Sequence, residues 1–109
     1  MPSREERRAR NEVTFRSANE AIVSNVGTST SPRMLPLICE CGSEDCLEEI
    51  ELTAREYEVV RASPIRFAVL PGHEDEDEDL LDAFDRFSVV QKKGEGEQIV
   101  RELNPRDPP

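Results

Sequence analysis

"ICECGSEDCLEEIELTAREYEVV", residues 38–60, changes character twice, and those changes decide the fold. Its first part holds every cysteine of the chain, Cys39, Cys41 and Cys46, in the spacing C-x-C-x4-C. Next, Ile50 and Leu52 alternate with Glu49 and Glu51, the period of a half-buried strand. From Thr53 the period lengthens: Thr53 and Glu56 form a capping box, and Tyr57 and Val60 share a face of a short helix that Pro64 prevents from continuing. Upstream, Leu35, Leu37 and Cys39 alternate with Pro36 and Ile38, which suits a short strand, placed at an edge by its proline. The cysteine loop therefore joins two strands of a hairpin.

Working outward, "IRFAVL", 65–70, sets Phe67 and Val69 against Arg66 and Ala68 as a third strand, and "PGH", 71–73, closes it with a turn. "EDEDED", 74–79, reads as a solvated acidic run, because it lacks the glycine and the ligand spacing of an EF-hand. "LLDAF", 80–84, suits a short helix or a strand, and "RFSVVQK", 86–92, a strand. In the weakly patterned tail, Ile99, Val100 and Leu103 allow one helical turn before the prolines. At the other end, 4–26 reads as a helix capped by Ser3 with Glu6 three residues on. Its thin apolar stripe of Val13, Phe15, Ala18, Ile22 and Val26 predicts an exposed first half and a docking second half from Val13. "GTSTSPR", 27–33, is a linker composition. The expectation is an α+β fold: helix 1–26, flexible linker 27–33, a zinc-stabilised domain 34–93 with a small antiparallel sheet, one helix and a knuckle-like hairpin, and a weakly structured tail 94–109.

Charge is unevenly spread. Residues 1–33 carry six Arg and four Glu, a balance of +2, and residues 34–109 carry eight Lys or Arg and twenty acids, a balance of -12, which together give the net -10. Such a body repels phosphate and attracts a basic protein surface, leaving nucleic acid only the Arg-bearing first helix. There Arg4, Arg7, Arg8 and Arg10 are interspersed with Glu5 and Glu6, the pattern of a solvated helix end. No apolar run reaches the roughly 18 residues of a membrane span, and "MPSREERRAR" lacks the apolar stretch of a secretory signal, so a cytoplasmic location is expected.

In that compartment clustered cysteines serve more often as metal ligands or reactive groups than as disulfides. Gly42, directly after Cys41, supplies the tight turn that lets three sulfurs converge and lets backbone N–H groups face them. Zinc takes four Cys or His ligands. The fourth candidate is His73, the only histidine of the chain, 27 positions after Cys46 and held in the Pro71-Gly72 turn. Such a closed shell would contribute about 10 kcal/mol to folding, as in zinc-finger peptides. That matters for a chain of 109 residues with 36% hydrophobic and 35% charged residues, whose core alone is thin. Two alternatives stand beside it: the thiols are free or redox-active, and His73 is an ordinary turn histidine. Catalytic patterns are absent: Glu74 adjoins His73 without the H-x-E and P-C-x2-C of nucleobase deaminases, and there is no phosphate-binding G-x4-G-K-[ST] loop.

"CECGSEDCLEEIELTAREYEVVRASPIRFAVLPGHE" followed by "RFSVVQK", together with "FRSANEAI" at 15–22, resembles a family of small uncharacterised bacterial proteins common in actinobacteria. That family carries C-x-C-x4-C, then "I-x-L-T-x2-E-Y-x2-V-R", then "F-x-V-x-P-G-H". The resemblance implies a joint metal role for Cys39, Cys41, Cys46 and His73. The chain departs from the pattern in "DEDED" and "LLDAFDR". The functional expectation is a non-enzymatic zinc-binding module, an interaction or regulatory factor acting through its acidic surface and N-terminal helix. The alternatives are a thiol and zinc redox sensor and a nucleic-acid-associated regulator using the Arg-rich helix.

Overall fold

The computed structural model describes residues 3–26 and 32–104. Most of the expected linker, 27–31, and the end of the tail, 105–109, lie outside the described residues. The fold is α+β, with elements in the order α1 (Arg4–Val26), β1 (Leu35–Ile38), β2 (Glu49–Leu52), α2 (Ala54–Val60), β3 (Arg66–Val69), β4 (Glu78–Ala83), β5 (Ser88–Lys92) and α3 (Glu95–Glu102).

Among the described residues the strands form two antiparallel sheets, β1-β2 and β3-β5-β4. In the hairpin Leu35 faces Leu52 and Leu37 faces Ile50. These four are buried while Pro36, Glu49 and Glu51 are exposed, the alternation a one-sided sheet requires. α2 starts on the expected capping box: the Glu56 N–H donates to the Thr53 hydroxyl at 3.1 Å, and the Thr53 N–H to the Glu56 carboxylate at 2.8 Å. It buries Ala54, Tyr57 and Val60. In the second sheet Phe67 pairs with Val90 and Val69 with Ser88, all four buried. Of "LLDAF", Leu80 to Ala83 belong to β4, with a bulge between Leu80 and Asp82, and Phe84 follows the strand.

Two sequence expectations give way. The first half of α1 is not left exposed, and its docking face is not the apolar stripe. The buried positions are Ala9, Glu12, Arg16 and Asn19, spaced three, four and three apart, while Val13 and Ile22 only flank the core. Polar residues are tolerated there because each finds partners. Arg16 donates to the carbonyls of Pro64 (2.6 Å) and Val100 (2.9 Å) and lies over the Phe67 ring. Asn19 both donates to and accepts from the backbone of Ile38, each at 2.8 Å. Lys92 Nζ, fully buried, sits 2.9 Å from Glu12 and 2.6 Å from Asp77. The tail, in turn, forms a two-turn helix rather than one turn. α3 packs on α1, and Gly96 sits against the buried Lys92 of β5, since a Cβ there would lie 2.6 Å from Lys92 Cε and 3.5 Å from Ala9 Cβ of α1.

The acidic run also differs from a solvated loop. Asp75 pairs with Arg4 at 3.0 Å and Arg8 at 3.3 Å, Asp77 with Lys92, and Glu78 is buried with its carboxylate accepting from the Asp75 N–H. Asp75 thus holds the start of α1 against the body, and Asp77 pairs with the buried Lys92 of β5.

Candidate metal centre

The cysteine loop lies where the two sheets meet. After β1 the chain leaves its hairpin partner and runs beside β3. The Cys39 N–H donates to the Glu48 carbonyl at 2.8 Å, which keeps the hairpin closed, and the Glu40 N–H donates to the Ala68 carbonyl at 2.9 Å, which ties the loop to the second sheet. Residues 39–41 continue the alternation of β1, so Cys39 and Cys41 turn one way and Glu40 the other. Gly42 then reverses the chain with φ at +79°, the left-handed conformation that glycine adopts without strain. It is also the point of closest approach to α1, because a Cβ there would lie 2.8 Å from the Arg8 carbonyl oxygen and from Glu12 Cγ. The Cys46 N–H donates to the Ser43 carbonyl at 3.2 Å and closes the loop.

His73 arrives from the other sheet. Pro71 and Gly72 occupy the two corners of a turn in which the His73 N–H donates to the Leu70 carbonyl at 3.0 Å, and Gly72 has φ at +87°. Proline at the first corner and a positive φ at the second are the requirements of a type II turn. The turn sets the imidazole Nδ1 3.7 Å from Cys39 Sγ and 3.6 Å from Cys46 Sγ. The ligand atoms of Cys39, Cys41, Cys46 and His73 all lie within 4.8 Å of one another. Among the described residues no other group of His, Cys, Asp and Glu side chains converges in this way. All three cysteines are buried and carry no disulfide.

Backbone N–H groups face the sulfurs, while burial works against their charge. The Leu70 N–H donates to Cys39 Sγ at 3.1 Å, and the backbones of Ser43 and Glu48 stabilise the thiolates of Cys41 and Cys46 in the same way. A hydrogen bond from the Cys39 thiol pulls Cys41 down to about 4, and that same bond pushes Cys39 up, while burial pushes Cys46 up. One sulfur is thus readily negative among three buried thiols. A cation at their centre would replace the remaining thiol protons as the source of stabilising positive charge. Four side chains of ligand type, converging from two sheets with their sulfurs facing backbone N–H groups, can bind a metal ion.

Three supporting residues escape the sequence reading. Glu40, fully buried between the sheets, accepts from Asn19 (2.9 Å), the Tyr57 hydroxyl (2.8 Å) and the Ala68 N–H (3.0 Å). Burial raises its carboxyl, and these three donors oppose the rise. The signal was present in C-E-C, since two cysteines on one face put the glutamate on the other. Nothing local shows that the other face is also buried. Arg8 was read as a solvated charge, but it donates to the Cys41 carbonyl, and Asn11 donates to the Gly42 carbonyl at 3.1 Å. α1 therefore braces the loop that presents the sulfurs. No family model, curated protein or solved structure matches this chain.

Proposed function

We propose that the chain is a small non-enzymatic module whose fold is held by a structural zinc ion on Cys39, Cys41, Cys46 and His73, and that it works by binding another protein. The observation that carries the reading is the closed set of four ligand atoms. With zinc bonds of about 2.3 Å to sulfur and 2.0 Å to nitrogen, a tetrahedron sets sulfur and nitrogen about 3.5 Å apart. The His73 contacts of 3.6 and 3.7 Å lie close to that separation. Three thiolates and one imidazole favour zinc over harder ions, and a full set of protein ligands leaves no place for a reacting water. Binding would come through the acidic body, which suits a partner with a basic surface.

Nucleic-acid binding through α1 is the weaker reading. Arg4 and Arg8 are held by Asp75, Arg10 by Glu6, and Arg16 is buried. A redox-sensor reading draws on the closeness of three sulfurs, any two of which an oxidant such as peroxide could join with release of the ion. Cobalt substitution followed by chelation tests the main proposal. Tetrahedral cobalt absorption with thiolate charge transfer, and unfolding when the ion is removed, are expected. A fold indifferent to chelator would overturn it, and metal loss on mild peroxide, reversed by reductant, would favour the sensor.

A further inference from the structure

The groove between α2 and the β4–β5 pair is lined by none of the four clustered ligand residues. It is lined by Val59, Val60, Leu81, Phe84, Phe87 and Val89, with Glu56, Asp82 and Arg66 at its rim, and has a volume of ≈ 180 Å³. That is below the 300–1,000 Å³ of sites for small molecules and suits one or two side chains. Three of its apolar residues face solvent to a degree unusual for their type: Val59 at 64%, Phe84 at 51% and Leu81 at 40% exposed.

The groove is shaped by a specific irregularity. Leu80 is paired with Val90 and Asp82 with Val89, so Leu81 is the extra residue of a bulge. In an unbroken strand Leu80 and Asp82 would share a face. The bulge instead brings both Leu81 and Asp82 to the groove, the kind of re-aiming that bulges provide. Phe84 lies against Phe87 with ring centroids 5.0 Å apart, and Arg86 clamps the adjoining turn to Glu56 at 2.6 Å.

Charge selects the occupant. β4 is an edge strand bonded to β5 alone among the described strands. The β4 segment and the turn after it carry Asp79, Asp82 and Asp85, all exposed. Lys93 is taken by Asp79 and Arg86 by Glu56, so among the described residues Asp82 and Asp85 have no ion-pair partner. A second copy of this chain laid along β4 would set acids against acids, which disfavours self-association through this edge. An apolar slot beside an acidic edge strand fits the opposite chemistry.

We propose that this groove is the docking site for a short extended segment of another protein, one or two large apolar side chains flanked by lysines or arginines. The segment would pair along the edge of β4, seat its apolar side chains against Val59, Leu81 and Phe84, and set its cations against Asp82 and Asp85. The inference rests on the binding-module reading and names its surface.

The test is fluorescence anisotropy of the full-length metal-loaded chain with two labelled nonapeptide pools. Both have Leu, Ile, Phe or Met at the centre; one is flanked by Lys and Arg, the other by Glu and Asp. Saturable binding of the basic-flanked pool alone, weakened by salt, is expected. Leu81→Ser and Phe84→Ser should each weaken it about tenfold or more, the double variant Asp82→Asn/Asp85→Asn should weaken it severalfold, and Leu47→Ser, remote from the groove, should leave it unchanged. Equal binding of both pools, no binding, or equal loss in Leu47→Ser would overturn the groove. Sedimentation showing a dimer that Phe84→Ser dissociates would overturn it in favour of a second copy. Metal content and circular dichroism of the same samples keep the two claims apart. A folded zinc protein that binds neither pool sinks the groove alone, and selective binding by a folded protein without metal sinks the zinc reading alone.

Discussion

The cysteine loop and the seam beneath α1 both join parts of the chain distant in sequence, but with opposite materials. The loop converges Cys39, Cys41, Cys46 and His73 from two sheets within 4.8 Å, an arrangement that could hold a shared ion. The seam uses Glu12, Arg16, Asn19, Glu40 and Lys92, all buried, joined directly to one another, to Tyr57 and Asp77, and to backbone carbonyls. On the proposed reading, the first region depends on a ligand and would fail all at once when it is removed. The other is a set of separate contacts, and losing one is survivable. In a small domain with few large apolar residues, burial alone contributes little margin, and the proposed account has a soft-metal clasp and a polar seam share the work.

The largest difference should appear when the clasp is opened. Cys39→Ser or chelation is expected to abolish cooperative unfolding of the domain, a loss of about 10 kcal/mol against the metal-bound state. Circular dichroism and thermal denaturation read this directly. Retention of the native melting transition after chelation would show that the seam suffices.

Breaking the seam at its centre should cost less. Glu40→Leu removes an acceptor from the Asn19 amide, which keeps the Ile38 carbonyl, from the Tyr57 hydroxyl, which is left with the Arg16 carbonyl at 3.4 Å, and from the Ala68 N–H, and is expected to destabilise by about 3 kcal/mol with metal still bound. Glu40→Gln keeps an acceptor and should cost less than half as much. Denaturant unfolding of both variants with metal content measured alongside checks this, and equal costs would argue against the hydrogen-bonding account.

Gly42 belongs to both regions, because it turns the sulfur loop and touches Arg8 and Glu12 of α1. Gly42→Ala, at φ +79° with a Cβ 2.8 Å from the Arg8 carbonyl, should cost about 2 kcal/mol and weaken metal affinity as well. A loss of stability without loss of affinity would separate the two roles.

The smallest effect is expected at the rim. Hydrogen bonds from Arg4, with the charge of Arg8, hold the Asp75 carboxyl well below its ordinary range. A depressed carboxylate stabilises the fold above its unfolded pKa near 4 and loses that contribution as pH falls. Asp75→Asn should therefore cost about 0.5 kcal/mol at neutral pH, because solvent screens the pair, and the difference should shrink as pH falls from about 4 toward the depressed folded-state pKa. Paired melting curves across pH test the sign.

The same contrast explains what could be read from the sequence. Cys39, Cys41 and Cys46 were legible as a set because thiols are few and their spacing is a geometric statement. The Thr53–Glu56 box and the strands around Ile50 and Phe67 were legible because capping and alternation are local. The seam was not. Glu12, Arg16 and Asn19 are residue types that usually face water, and only partners far along the chain, Lys92, Val100 and Ile38, make their burial tolerable. α3 was hidden for the same reason, since only Gly96 and Val100 of its residues are buried. The acidic run was half legible: its charges were plain, but its pairing with Arg4, Arg8 and Lys92 was not.

The central claim is that the four side chains of the clasp act together on one ion. Elemental analysis of freshly purified, reduced protein tests it most directly, for the native chain and for His73→Ala and Cys46→Ala, each followed by circular dichroism. One zinc per chain in the native protein, lost or markedly weakened in both variants together with the fold, is the predicted result. Native protein that folds without metal, or full zinc retained in His73→Ala, would contradict it.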